Sequence, residues 1–369
     1  MIKTVLLAAT VAGGALADDA APLFSDHAAY PINDETLLTA GLAAGDLDGD
    51  GDMDIVEANG RHWAQPSYVY YNSGRHFTAR RMLGDMDTTS YSVRLADMDG
   101  DGDLDIVASS DLLENQIYWN DGKGQFGAPS WFGSAASYTR SITIADLNGD
   151  GLLDILEICR GTTNLIYVNQ GGGAFAAPAP FGQADDRTLD VAVADMNGDG
   201  HPDLVLANRD GQQNQILLGD STLAFTTSIP FGLGNDDTRG VAVADMNGDG
   251  RPDIVTANIA DQNQLILNRG NGDFEVAQSF SGNSSRSYSL ALVDLNGDGH
   301  MDVVVGNDRS PTEVYLGDGA GGLVLNAEIE AHGPRTYVVA VADINGDGRP
   351  DIIVGNSGDK TVVHYQHGN

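Results

Sequence analysis

The pattern Asp-x-Asx-Gly-Asp-Gly-x-x-Asp occurs seven times in this chain, beginning at Asp46, Asp97, Asp146, Asp195, Asp245, Asp294 and Asp343. Successive starts lie 51, 49, 49, 50, 49 and 49 residues apart. The ten residues Val191 to Gly200 return letter for letter at Val241 to Gly250. A near-constant period close to 50 residues, built of short strands and turns, marks an array in which each repeat packs on its neighbours, and this length suits one blade of a propeller. The expected fold is therefore all-β: a single-domain, seven-bladed β-propeller with four antiparallel strands per blade.

The residues flanking each loop support that reading. Upstream of the first Asp, positions −4 and −2 are mostly large and apolar (Val191 and Val193, Leu290 and Leu292), while −3 and −1 are mostly alanine. Large side chains on one face and small ones on the other describe a strand covered on both sides, as an inner blade strand must be. Arg94 breaks the rule at −3 of the second repeat. A second apolar run follows each loop, as in Asp253-Ile-Val-Thr-Ala, and usually ends at an Asn. A third strand, a Gly-rich hairpin such as Asn120-Asp-Gly-Lys-Gly124, and a looser fourth strand fill the period.

Within each loop, oxygen donors stand at positions 1, 3, 5 and 9, with glycine at position 6 to permit the sharp turn. These are Asp46, Asp48, Asp50 and Asp54; Asp97, Asp99, Asp101 and Asp105; Asp146, Asn148, Asp150 and Asp154; and Asp195, Asn197, Asp199 and Asp203. The last three sets are Asp245, Asn247, Asp249 and Asp253; Asp294, Asn296, Asp298 and Asp302; and Asp343, Asn345, Asp347 and Asp351. Like charges drawn together at 4 Å repel by about 4 kcal/mol per pair at an effective dielectric near 20. A divalent cation is expected in each loop, so up to seven Ca²⁺ in all. An EF-hand would need flanking helices and a Glu at position 12, which only Glu57 and Glu157 supply.

The loops also explain the charge. Of 53 acidic residues, 25 sit in them: 21 at positions 1, 5 and 9, Asp48 and Asp99 at position 3, Asp52 and Asp103 at position 7. Seven Ca²⁺ would bring the formal net charge from −34 to about −20. The remaining acidity favours solubility and opposes nucleic-acid binding.

The loop motif between strands, with Phe126-Gly-Ala-Pro129 and Phe175-Ala-Ala-Pro178 downstream, resembles FG-GAP (VCBS) repeats, which form the seven-bladed propeller of integrin α-subunits, some fungal lectins and many secreted bacterial proteins. The resemblance covers residues 20 to 369. It implies that the carbonyl at position 7 completes each metal shell, from Asp52, Asp103, Leu152, His201, Arg251, His300 and Arg349. Integrin propellers carry such loops in only some blades; this chain carries them in all seven and lacks an inserted ligand-binding domain.

Residues 1–17, with Lys3 ahead of an apolar run and Ala15-Leu16-Ala17 at its end, read as a signal peptide, leaving 18–369 as the propeller. The expected location is secreted, extracellular or periplasmic, where calcium is abundant enough to fill such loops. No other apolar run is long enough for a membrane helix. Cys159 is the only cysteine, so the ions take the part of disulfide staples. The last repeat ends after its third strand, Val362-Val-His-Tyr, and the segment Pro22 to Tyr30 is spare. That segment is expected to close the last blade and remove an open sheet edge.

The start of the first strand and the end of the second lie on the rim opposite the loops. A hydroxyl always stands seven residues before the first Asp (Thr39, Ser90, Thr139, Thr188, Thr238, Ser287, Thr336), and these are expected to ring the channel mouth. Arg140, Arg187, Arg239, Arg286 and Arg335 stand beside them with Tyr91, Tyr138, Tyr288 and Tyr337; the facing loops add Arg61, His62, Trp63, Arg160, Arg209 and Arg309. Arg61, His62, Trp63, Arg140, Arg187, Arg239, Arg286 and Arg335 are the candidate ligand-binding residues. Arginine forks suit carboxylate or sulfate, and aromatic faces suit sugars. The opposing reading is local pairing with Asp185, Asp186, Asp210, Asp236, Asp237 and Asp308. Asn283-Ser-Ser285 matches a glycosylation sequon.

Three functions follow: a monomeric secreted binding module for an extracellular glycan or protein, with structural calcium; a polysaccharide lyase or sugar dehydratase, for which Arg61-His62-Trp63 is the one candidate constellation; or a scaffold for a protein partner. No nucleophile motif, zinc cluster or phosphate loop is present.

Overall fold

The computed structural model describes residues 21–234, 237–259, 261–282 and 286–367. The expected signal peptide, Asp236 and the sequon Asn283-Ser-Ser285 lie outside them. The chain forms seven four-stranded antiparallel sheets, and six run in simple chain order from inner to outer strand. Blade 1, for example, comprises Thr39–Gly45, Asp54–Asn59, Tyr68–Asn72 and Phe77–Met82. The seventh holds Thr336–Ala342, Asp351–Asn356 and Val362–His364, and its outer strand is Ala29–Pro31 from the other end of the chain. Tyr30 pairs with Val363, and Ile32 N–H donates to the Thr361 carbonyl at 3.1 Å. The N-terminal segment thus closes the ring as expected.

Seven apolar clusters hold the ring together, and each lies between two blades. Leu47, Val56 and Val69 of blade 1 meet Val93, Ile106 and Tyr118 of blade 2 in one. Ile55 and Tyr70 of blade 1 meet Ile344, Ile353 and Val363 of blade 7 in another. The inner strand shows how the alternation works: Leu42 joins the cluster toward blade 7, while Ala43 packs into the cluster toward blade 2. Position 2 of every Asp-rich loop (Leu47, Met98, Leu147, Met196, Met246, Leu295, Ile344) is a buried plug between its own blade and the next.

A side-chain latch reinforces these seams. Asn120 Nδ2 donates to the Leu104 carbonyl of its own blade at 3.0 Å and to the Leu47 carbonyl of the preceding blade at 2.8 Å. Asn72, Asn169 and Asn268 do the same to Ile344, Met98 and Met196, and Gln366 reaches Leu295. Blades 4 and 6 have Gly219 and Gly317 there, where a Cβ would stand 2.1 and 2.2 Å from a carbonyl oxygen.

Cys159 is buried and burial pushes its thiol up to about 12, so it behaves as an apolar core residue. Among the described residues no helix is long and apolar enough to cross a membrane.

Candidate functional site

Each loop is a hairpin joining the inner strand to the second strand, built around its first and ninth residues. In the first, Asp46 accepts N–H groups from Gly49 at 2.8 Å and Gly51 at 3.0 Å. Both glycines have positive φ, 77° and 93°, a conformation that costs most other residues energy. Asp54 is buried and braces the loop, accepting Leu47 N–H at 3.0 Å and Asn72 N–H at 2.8 Å. The other six ninth-position aspartates repeat this bracing.

The resulting donor set suits a hard cation. The carboxylates of Asp46, Asp48 and Asp50 approach within 4.8 Å of one another, as do those of Asp97, Asp99 and Asp101. In the remaining loops position 3 is an amide, and Asn148, Asn197 and Asn296 turn their Nδ2 groups to the position 5 carboxylate at 3.0, 2.9 and 2.8 Å. Burial raises all seven ninth-position carboxylates, Asp54 to about 7 and Asp105 and Asp351 to about 6. Concentrated, desolvated oxygen donors of one sign are what a divalent ion would satisfy. The glutamates at position 12 play no part in the loop. Glu57 and Glu157 are buried beneath the opposite rim, accepting hydroxyls from Thr39 and Tyr70 and from Thr139 and Tyr167.

On the opposite rim the structure departs from the sequence expectation. The seven hydroxyls do not ring the channel; they are buried inside the blades. Thr188, Thr238, Ser287 and Thr336 donate to Asn208, Asn258, Asn307 and Asn356 at 2.8 to 3.0 Å. The reason is a β-bulge. In six blades the ladder between the first two strands skips one residue just after the hydroxyl. The skipped residue is re-aimed. These residues, Ala40, Arg140, Leu189, Arg239, Tyr288 and Tyr337, together with Tyr91 at the same place in blade 2, line the top of the channel.

They form a stacked closure. Tyr337 packs edge-on against Tyr288 with centroids 5.1 Å apart, and Tyr91 lies 6.4 Å away. Arg239 sits over Tyr337 at 4.3 Å and over Tyr288 at 4.9 Å; Arg61 covers Tyr337 at 4.1 Å and Arg140 covers Tyr91 at 4.3 Å. Above this layer is a small cavity lined by Arg61, His62, Tyr91, Arg140, Arg160, Leu189, Arg209, Arg239, Tyr288 and Tyr337. Asp111 takes Arg140 at 2.9 Å, and Asp210 takes Arg160 at 2.7 Å and Arg209 at 3.5 Å. Arg61 and Arg239 meet no carboxylate among the described residues, and the Nε of each is buried without a hydrogen-bond partner.

Of the candidate ligand-binding residues, Arg61, His62, Arg140 and Arg239 come together here. Arg187 lines an adjoining hollow with Tyr138, Arg160 and Asp185, and is paired with Asp210 at 2.9 Å. Arg286 and Arg335 both bind Asp308, at 3.1 and 3.0 Å, so local pairing holds for them. Trp63 is 73% exposed and stands outside the cavity lining. His62 Nδ1 lies 2.8 Å from the Tyr91 hydroxyl, and burial, with Arg61 and Arg140 nearby, holds the imidazole below its usual pKa and hence neutral at pH 7. Asp111, which anchors Arg140 and faces His62 at 3.9 Å, escaped the sequence reading because no repeat position marks it.

The FG-GAP-like repeat family model matches residues 46–108, 97–157, 158–206, 195–256, 245–305 and 294–354. No curated protein matches the chain. Among solved structures, the BP39L lectin from Burkholderia pseudomallei superposes with a TM-score of 0.72 at 13% identity, over 90% of this chain and 98% of that one. A chain from the structure of BBS1N in complex with ARL6DN gives 0.66 at 12% identity, over 94% and 98%. Raptor from Chaetomium thermophilum gives 0.63 at 13% identity, over 95% of this chain and 29% of that one. At such identities the likeness is one of fold alone. With matched repeats running from residue 46 to 354 and seven blades closed into a ring, the chain belongs to the FG-GAP-like repeat family, as a propeller of the integrin-α-like kind.

Proposed function

We propose that this protein is an exported, calcium-stabilised binding module whose ligand presents anionic groups to the arginine-lined mouth. The observation that carries this reading is a charge imbalance: five arginines converge on one cavity and, among the described residues, two carboxylates reach them, in a chain of net charge −34. A cationic focus inside an acidic surface draws anions and holds carboxylate or sulfate bidentately. The ions would sit in the seven loops at the other rim, held by the side chains at positions 1, 3, 5 and 9 and the carbonyl at position 7. Their chemistry would be charge neutralisation, not turnover. The lectin among the fold neighbours agrees with a glycan ligand.

A protein ligand is the second reading. Exposed apolar side chains surround the same rim: Trp63 at 73%, Leu233 at 66%, Leu112 at 51% and Tyr138 at 43%. Exposed aromatics beside arginine are the usual anchors of protein interfaces, and the BBS1N propeller is named in a complex with ARL6DN.

The test is a glycan array of polyuronates, sulfated and neutral polysaccharides, probed with calcium-loaded protein. Binding of anionic glycans, weakened at least tenfold by Arg239→Ala and Arg61→Ala, is the expected result. Retention of neutral glycans only, or of anionic ones with both variants unimpaired, overturns the anionic mouth. Depolymerisation of a bound polyuronate, abolished by His62→Ala, would replace the module by a lyase.

A further inference from the structure

Arg94, the residue that breaks the small-residue pattern of the inner strands, has a counterpart. At the same position the other blades carry Ala or Thr, and two residues earlier they carry Gly, Ser or Val except for Asp190 in blade 4. One cation and one anion therefore interrupt an otherwise small-residue set. Both lie in the central channel. A cavity of about 220 Å³ beneath the tyrosine and arginine closure and a second of about 390 Å³ below it share Arg94, Asp190 and Leu290 in their walls. The two charged side chains thus stand at the waist between them. The lower cavity is also lined by Ala96 and Leu153, next to the metal loops, so the waist is approached from that rim.

The two groups do not neutralise each other directly. No carboxylate oxygen lies within 4.0 Å of the Arg94 guanidinium among the described residues, and its hydrogen bond is to the neighbouring Val93 carbonyl at 2.9 Å. Asp190 accepts the Ser141 hydroxyl at 3.0 Å and the Val241 N–H at 3.3 Å, which leaves carboxylate lone pairs open. Burial pulls the Arg94 guanidinium down and pushes the Asp190 carboxyl up, each only partly offset by the other charge. Separated ions in a confined channel are costly unless something bridges them.

We propose that the waist is a binding site for a small zwitterion of the free α-amino acid class, its carboxylate on Arg94 and its ammonium on Asp190. Such a molecule carries both charges a few bonds apart and fits cavities of this size. Ser92, Ser141 and Ser289 also line the upper cavity. A guanidinium is the natural partner for a planar carboxylate, and a carboxylate for a compact ammonium. The site lies below the mouth, and the upper cavity shares Tyr91, Arg140, Arg239, Tyr288 and Tyr337 with it; Arg94 and Asp190 belong to the waist and not to the mouth.

The test is isothermal titration calorimetry of the full, calcium-loaded protein against the twenty amino acids one by one. Acetate, methylamine and the methyl ester of each binder serve as single-charge probes. The inference expects at least one amino acid to bind at one per chain, with the single-charge probes at least tenfold weaker. Arg94→Gln and Asp190→Asn should each weaken that amino acid at least tenfold. Absence of binding by every amino acid overturns the inference, as does acetate or methylamine binding equally well. The wild-type comparison decides the matter even if a variant fails to fold.

Discussion

Asn120 makes hydrogen bonds to carbonyls of two blades, and this dual role is invisible in a repeat alignment, where it reads as the first residue of a Gly-rich hairpin. Its loss removes the donor to one buried and one half-buried carbonyl, so Asn120→Ala should destabilise by about 2 kcal/mol in urea unfolding with calcium present. The reverse change fails too: Gly219→Asn brings a Cβ to within 2.1 Å of the Pro202 carbonyl, so adding the missing latch to blade 4 should lower stability, not raise it. The ninth-position aspartates give a second expectation, for protein stripped of metal. Burial raises Asp54 to about 7 and Asp105 and Asp351 to about 6, well above the usual carboxylate range. Across that interval the folded state binds more protons than the unfolded state, so its stability falls as pH rises from about 4 to about 7. Melting in chelator should therefore occur at a higher temperature at pH 5 than at pH 7.5. A melt that instead rises with pH would show that these carboxylates are better stabilised than their burial implies.

At the scale of elements, the strands and loops were legible because side-chain alternation and the loop period are both written in the chain. Leu42 and Ala43 point to opposite neighbours, as the alternation of large and small residues requires. The bulge was not legible. It skips one residue, which reverses the facing of everything before it, so the hydroxyl turns inward and Arg140, Arg239, Tyr288 and Tyr337 turn to the channel. Nothing in composition marks that skip, since Ala40 and Leu189 occupy the same place. The closing segment was legible from a missing fourth strand, yet its anchoring is more than strand pairing. Phe24 is buried among Leu295, Val304 and Val354, and Asp26 accepts Ala331 N–H at 3.2 Å and also receives Glu330 N–H. Phe24→Ala should cost about 3–5 kcal/mol, the range for removing a buried aromatic ring. Chemical denaturation measures it, and a cost under 1 kcal/mol would mean that the ring closes without this segment.

At the scale of the whole molecule, each loop is tied to a seam between blades, because its second residue plugs the seam and that residue's carbonyl receives the next blade's latch where one exists. Loss of an ion should therefore loosen a neighbour as well as its own blade. The seven seams are not equal, and this makes the idea testable with two substitutions of the same kind. Asp97→Ala removes the first donor of blade 2, whose plug Met98 is held by Asn169 of blade 3 at 2.9 Å. Asp146→Ala does so in blade 3; the next blade has Gly219 at the latch position, so the plug Leu147 receives no such side-chain latch across that seam. Elemental analysis should find one calcium fewer in each variant. The melting temperature should fall further for Asp97→Ala, by a difference equivalent to about 1 kcal/mol, because a hydrogen bond between blades is strained along with the loop. In excess chelator the difference between the two variants should vanish, since no loop then holds an ion through which its seam could be braced. Equal melting of the two variants in calcium would show that each loop stabilises its own blade alone and that the seams take no part.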